Sequence, residues 1–362
     1  MIDRSRVWMI RLGAILSFLL LIGALLSLPV VLEVGWWALP GLVIIAAVVA
    51  LPISWAVRKV LASQRAHNWA STFALTIIVS FASLAILLTA PVYYLALNAA
   101  LRPVTVPLAT LSNGQKTVVF QGMMHIGTES FYKGVVYDLE RALNDGYVLF
   151  YEGVAPDPEG DAWFRQTLAG GGDLSDNYLA FGKACGLQFQ LKYFTLLDAD
   201  KALHPGRHVI ADVTTGDLKR EYDRLVRTDP SFAAYARSVG ERDDQTTSTT
   251  IANLIGTLDR ATPGQRALIG TACRGMVNTI SSKDAPAEPI NRVILDYRNR
   301  ALATRIIQSP ANRIYVTYGA AHLPGLLRDL QSADPAWQLK SIKWERTIAA
   351  PENLSGRLEG LR

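Results

Sequence analysis

The order of hydrophobic and polar positions divides the chain near residue 101. Residues 12–32 form a stretch of 21 residues without a charge, enough to cross ~30 Å of hydrocarbon at about 1.5 Å per residue. Residues 34–57 and 69–101 are uncharged as well. These stretches are apolar all round rather than striped, as lipid-facing helices are. They predict three transmembrane helices over about residues 12–32, 36–57 and 70–98. Pro40, Pro52 and Pro91 are tolerable within or at the ends of such helices. Trp36 and Trp37 precede the second span, and Tyr93 and Tyr94 follow the core of the third, where interfacial aromatics are expected. A cleaved signal peptide is the alternative for the first stretch. It is long for a signal core, lacks a small-x-small cleavage site, and is followed at once by another span.

After Arg102-Pro103 the pattern becomes an alternation of strand-like and helix-like segments. Residues 116–121 (KTVVFQ), 146–151 (GYVLFY), 208–211 (HVIA) and 312–318 (NRIYVTY) read as buried strands. The pair Asp145-Gly146 supplies the turn that opens the second. Residues 130–143 have helical spacing, with Phe131, Val135, Leu139 and Leu143 on one side. Thr214 or Thr215 can cap a helix carrying Asp217 in its first turn. Residues 291–307 predict a helix stopped by Ser309-Pro310, and 337–344 a final strand. Gly170-Gly171-Gly172 reads as a flexible loop without phosphate-loop context, and the tail after Pro351 is weakly patterned. Strands alternating with helices predict an α/β domain over residues 102–362, with a largely parallel central sheet and helices around it.

Charge gives the membrane region a direction. Residues 1–101 carry six cations against Asp3 and Glu33, whereas residues 102–362 are nearly neutral, with 30 Lys/Arg against 29 Asp/Glu. The domain therefore has no net basic charge to recommend nucleic acid as a partner. Arg4, Arg6 and Arg11 flank the first span, and Arg58, Lys59 and Arg65 lie between the second and third. The loop between the first and second spans has no cation. By the positive-inside rule the amino terminus is cytoplasmic and, after three crossings, the domain is extracytoplasmic at the cell membrane. A re-entrant third stretch would reverse this. Cys185 and Cys273 are too few and too far apart for a zinc ribbon or a redox CxxC motif. One disulfide, if the domain lies outside the cytoplasm, and two buried thiols are both open.

Candidate chemistry gathers at the carboxyl ends of the predicted strands, where open α/β sheets bind ligands. Strand 116–121 runs into Gly122-Met123-Met124-His125, and strand 146–151 into Glu152-Gly153. Strand 208–211 runs into Asp212, and strand 312–318 into Gly319-Ala320-Ala321-His322. Two neutral imidazoles and a carboxylate form a common catalytic metal set, which leaves a position for water. Each histidine alone reads equally as a strand-end residue bonded to a backbone carbonyl. His204 and His208 are spaced i, i+4, but Pro205-Gly206 disrupts any helix between them, so they read as loop residues. HExxH, GxSxG and Walker motifs are missing, which leaves serine hydrolases and NTPases without support.

The order Gly122-x-x-His125, Glu152 closing the next strand, and Gly319-x-x-His322 resembles the TraB/PrgY/GumN family and the related TIKI proteins. Two further segments resemble that family's Arg-Asn helix and Gly-Ala-x-His-Leu-x-Gly ending: Tyr297-Arg298-Asn299-Arg300, and Tyr318-Gly319-Ala320-Ala321-His322-Leu323-Pro324-Gly325. The similarity spans about residues 115–345, and the membrane spans before the domain depart from the family's pattern. The resemblance implies an α/β fold shared with erythromycin-esterase-like and ChaN-like proteins. TIKI members are membrane-tethered, metal-dependent proteases, whereas TraB and PrgY members limit peptide pheromone activity. Carried over, His125, Glu152 and His322 would hold a divalent ion (manganese, cobalt or zinc), with Gly122 and Gly319 shaping the turns. Glu152 and Arg298 would be the catalytic pair. Arg298 reads as an oxyanion or carboxylate binder, or else as a helix-surface ion pair. Asn299 would bond a strand-end loop. Asp212 would be a further ligand, a partner for a histidine, or a helix-capping carboxylate. The expectation is a membrane-anchored metal-dependent hydrolase, a peptidase acting on an extracytoplasmic peptide or protein. The alternative is a surface protein that sequesters a peptide, a tetrapyrrole or another small ligand.

Overall fold

The structure is a computed structural model and describes residues 4–32, 36–61, 68–168, 174–240, 262–281 and 288–349. The Gly170-Gly171-Gly172 loop and the tail after Pro351 lie outside the described residues. The described chain divides into two compact units. One holds residues 4–100 and 262–276, and the other begins at residue 101 and holds the remainder of the described chain to 349.

In the first unit, α1 (Arg4–Leu32), α2 (Ala38–Leu61) and α3 (Trp69–Leu101) are long and apolar enough to cross a membrane. Their surfaces explain why: Leu12, Leu19, Ile44, Ile78 and Leu87 are all exposed, a pattern that water would penalise and lipid would not. The third stretch is one continuous helix of 33 residues with Pro91 inside it, not a re-entrant pair.

The second unit is built on a six-stranded sheet in the order β6-β4-β7-β2-β1-β8. Its strands are β1 (Val104–Ser112), β2 (Thr117–Met123), β4 (Val148–Tyr151), β6 (His208–Ile210), β7 (Arg313–Gly319) and β8 (Gln338–Ile348). A separate pair joins β3 (Ile126–Gly127) to β5 (Gln188–Phe189). The strands β6, β4, β7 and β2 run parallel, as the alternating pattern predicts. The five buried residues of β7 identify a strand covered on both faces. Packed on one face are Phe120, Val316, Tyr318, Leu302, Ile306, Leu326 and Trp337. On the other are Leu149, Tyr315, Val135, Leu139 and Phe131.

Two antiparallel strands extend this core. β1 has no counterpart in the sequence reading, and β8 outruns the expected 337–344. A tight turn at Asn113–Lys116, with Gly114 at φ 88°, joins β1 to β2. A connection that short permits only antiparallel pairing. β1 therefore starts beside the carboxyl end of β2, three residues after Leu101, and the chain enters this unit at the edge where the parallel strands end.

Helices connect the strands and place polar groups at that edge. The helix Glu129–Asn144 buries Phe131, Val135, Leu139 and Leu143 as predicted. The helix Thr215–Thr228 opens on a capping box: Thr214 Oγ1 accepts from the Asp217 N–H, and the Asp217 carboxylate accepts from the Thr214 N–H. The predicted 291–307 helix is a π turn, Arg292–Tyr297, followed by the helix Arg298–Gln308.

Candidate functional site

Glu152 follows β4 directly, and both of its carboxylate oxygens are engaged. Oε1 accepts from Arg298 Nη2 at 2.6 Å, and Oε2 accepts from the Gly319 N–H at 2.6 Å. The Glu152 N–H donates in turn to the Thr317 carbonyl of β7 at 2.9 Å. Two neighbouring strand ends are thereby tied by one residue.

Arg298 is the hub. Its Nε and Nη2 donate to Asp212 at 3.0 and 2.6 Å, the fork geometry a guanidinium favours with a carboxylate. Its side chain is only 10% exposed, so the helix-surface ion pair is corrected to a buried one. Asp212 also accepts from the N–H groups of Gly153 and Val213. Burial pushes the Asp212 carboxyl up, but the Arg298 hydrogen bond and charge, with the Val213 N–H, outweigh it and hold it low. Burial alone would lower the Arg298 guanidinium, and Asp212 and Glu152 raise it instead. Asp212 is therefore the partner of Arg298 rather than of a histidine, and the helix cap expected of it belongs to Thr214.

The two histidines occupy different depths. His322 ends a short 3-10 turn after β7 and is 2% exposed. Its Nδ1 bonds Asn299 Oδ1 at 2.8 Å, so the strand-end group that Asn299 bonds is the His322 side chain. The Tyr318 ring stands edge-on to it at 4.8 Å. Burial, reinforced by Arg298 and opposed by Glu152 and Asp212, lowers the His322 imidazole to about 4. His125 is held by Gln190, whose N–H donates to the His125 carbonyl at 3.0 Å and whose side-chain amide meets Nδ1 at 3.1 Å. Burial lowers His125 as well; Glu152 opposes this and Arg298 adds to it. Both imidazoles are neutral at pH 7 and both feel the charges of Glu152 and Arg298.

The glycines act through close approach. A Cβ on Gly122 would lie 2.8 Å from the Pro107 side chain and 2.9 Å from its carbonyl oxygen. A Cβ on Gly319 would sit 3.4 Å from both Glu152 Oε2 and His322 Cδ2, which puts that carboxylate and that imidazole on either side of one backbone position.

A cleft of about 580 Å³ opens on this edge, and its lining includes His125, Glu152 and Arg298 but not Asp212, Asn299 or His322. Three candidate residues thus line the cleft; Asp212 holds Arg298 from behind, and Asn299 and His322 bond one another outside the lining. The two imidazoles suit a divalent ion, being neutral and each anchored through Nδ1. The carboxylate does not, because Arg298 and the Gly319 N–H occupy its oxygens. Among the described residues no three His, Cys, Asp or Glu side chains are gathered as a metal-holding group.

Sequence reasoning missed Gln190, Tyr178 and Phe189, which flank His125. Phe189 and Gln190 lie in or beside a two-residue strand, too short for a period, and Tyr178 lies on the helix Leu174–Cys185, which is not among the predicted elements. His208 is not a loop residue: it opens β6, buried between Tyr151 Oη at 2.9 Å and Asp200 at 2.8 Å, whereas His204 does lie in the loop. Neither cysteine is a free thiol. No protein-family model matches this chain, nor does any curated protein or any solved structure.

Proposed function

We propose that the chain is a membrane-anchored hydrolase, a peptidase whose cleft takes an extracytoplasmic peptide. The observation that carries this reading is the convergence of His125, Glu152 and Arg298 on one cleft at the sheet edge. A neutral imidazole is a competent general base near pH 7. Gln190 Nε2 lies 3.1 Å from Nδ1; the proposed step turns this amide over so that its oxygen accepts the Nδ1 proton, which makes Nε2 of His125 the basic nitrogen. It takes a proton from water as the water oxygen attacks the scissile carbonyl, and returns it to the departing amine. Nε and Nη2 of Arg298 are taken by Asp212 and Glu152, so Nη1, which meets the Ile294 carbonyl at 3.4 Å, is the nitrogen left to donate to the developing oxyanion. Glu152 and Asp212 fix that guanidinium, so little reorganisation accompanies the reaction.

The resemblance to the TraB/PrgY/GumN family also implies a divalent ion on His125, Glu152 and His322. With Glu152 spent on Arg298, the steps above use the chain's own groups, and metal content becomes an arm of the test. The extracytoplasmic placement draws support from the cation pattern.

The full chain in lipid nanodiscs is incubated with a mixed peptide pool, with and without Mn²⁺, Co²⁺ or Zn²⁺, and new termini are read by mass spectrometry. New termini are expected with the wild type and not with His125→Gln. Cleavage only with added metal, lost in His322→Gln as well, would restore the ion. The second reading, sequestration, is favoured by the same cleft and would appear as peptide retention without new termini.

A further inference from the structure

We infer that the cleft is a subsite for one large apolar side chain of the substrate, aromatic or branched aliphatic, held beside the groups that act on the scissile bond. The inference rests on the hydrolase reading only for where that bond lies.

One wall is aromatic. The Tyr178 ring lies 4.2 Å from the His125 ring at 32°, and Phe189 stacks on Tyr178 at 6.3 Å and 15°. Both rings line the cleft with His125. Burial raises the Tyr178 hydroxyl, and the Glu152 charge adds to it, so this side chain stays neutral beside the carboxylate. The lining continues through Phe164, Leu168, Leu218 and Ile294, drawn from three separate parts of the chain.

The polar groups of the cleft are largely spent on one another. Glu152 and Arg298 are paired. The Asp161 carboxylate accepts from Thr215 Oγ1 at 2.6 Å and from the Asp157 N–H at 2.9 Å. A charged substrate group entering here would lose water without gaining an equivalent partner, which is costly. An apolar group loses nothing comparable and gains contact with stacked rings and leucines. The volume, about 580 Å³, falls inside the ~300–1,000 Å³ range of small-ligand sites. That is room for one large side chain and the backbone on either side of it. Arg165 is exposed on the lining and would argue for an acidic side chain instead.

The probes are capped tripeptides, N-acetyl-Ala-X-Ala-amide with X = Phe, Leu, Gly or Glu. Binding to the full chain in nanodiscs is followed by saturation-transfer NMR, with empty nanodiscs subtracted. Phe and Leu are expected to bind about 30-fold tighter than Gly, the discrimination that burying one such side chain supplies. Leu168→Trp, which fills the cleft, is expected to abolish the preference, and Leu168→Ala to weaken Phe binding several-fold while the fold holds. Glu binding as tightly as Phe, or Phe binding unchanged in both Leu168 variants, would overturn the subsite. Because binding is the readout, the two failures separate. A protein that ranks Phe over Gly but cleaves nothing loses the hydrolase reading and keeps the subsite. One that cleaves without ranking loses the subsite alone.

Discussion

Arg298 joins two carboxylates inside the domain, and removing one leaves its charge buried with half its partners. Breaking such a pair costs several kcal/mol because the remaining ion is uncompensated. Asp212→Asn is expected to destabilise the chain by about 3 kcal/mol, measured by chemical denaturation in micelles, and to leave Arg298 without its second anchor. His322 makes a distinct prediction. Its imidazole is lowered from an ordinary value near 6.5 to about 4, so between these values the unfolded chain binds the proton that the folded chain excludes. Stability is full above pH 6.5 and is lost as pH falls toward 4, by roughly 3 kcal/mol in all. Denaturation midpoints across that window should fall less steeply in His322→Gln than in the wild type. The residue types at the site were legible because turn glycines and strand-end polar groups are short-range signals. The partners were not. That Asn299 serves His322, and that Gly325 leaves space for it (a Cβ there would lie 2.0 Å from Asn299 Nδ2), depends on two helices packing together.

At the scale of elements, the parallel strands and the helix behind β2 could be read from buried runs and 3.6-residue spacing. Thr214 and Asp217 marked the start of the next helix, and the reciprocal bonds between them are present. Thr214→Ala removes that cap and should cost about 1 kcal/mol, seen in the same denaturation experiment, without displacing Glu152 or Arg298. The elements that escaped reading are those whose pattern is not their own. β1 alternates weakly, and its place is set by the Gly114 turn and by β8. The π turn at Arg292–Tyr297 carries ordinary helix-forming residues, so nothing in its sequence announces the wider winding. The β3–β5 pair is two residues long on each side, too short for a period to register, yet Gln190 follows it and holds His125.

For the whole molecule, three apolar helices precede a sheet whose first strand begins at the edge carrying the cleft. The proposed extracytoplasmic placement predicts that a cysteine introduced at Gln115, exposed in the β1–β2 turn, reacts with a membrane-impermeant maleimide on intact cells. Reaction only after permeabilisation would invert the topology. The central claim, that His125, Glu152 and Arg298 form a hydrolytic site, is tested most directly by oxygen transfer from solvent. The full chain in nanodiscs is supplied with N-acetyl-Ala-Phe-Ala-amide in H₂¹⁸O, and the products are weighed by mass spectrometry. The predicted result is a new carboxyl terminus carrying one ¹⁸O with the wild type and none with His125→Gln. Intact peptide with the wild type, or equal ¹⁸O incorporation in the two proteins, would contradict it.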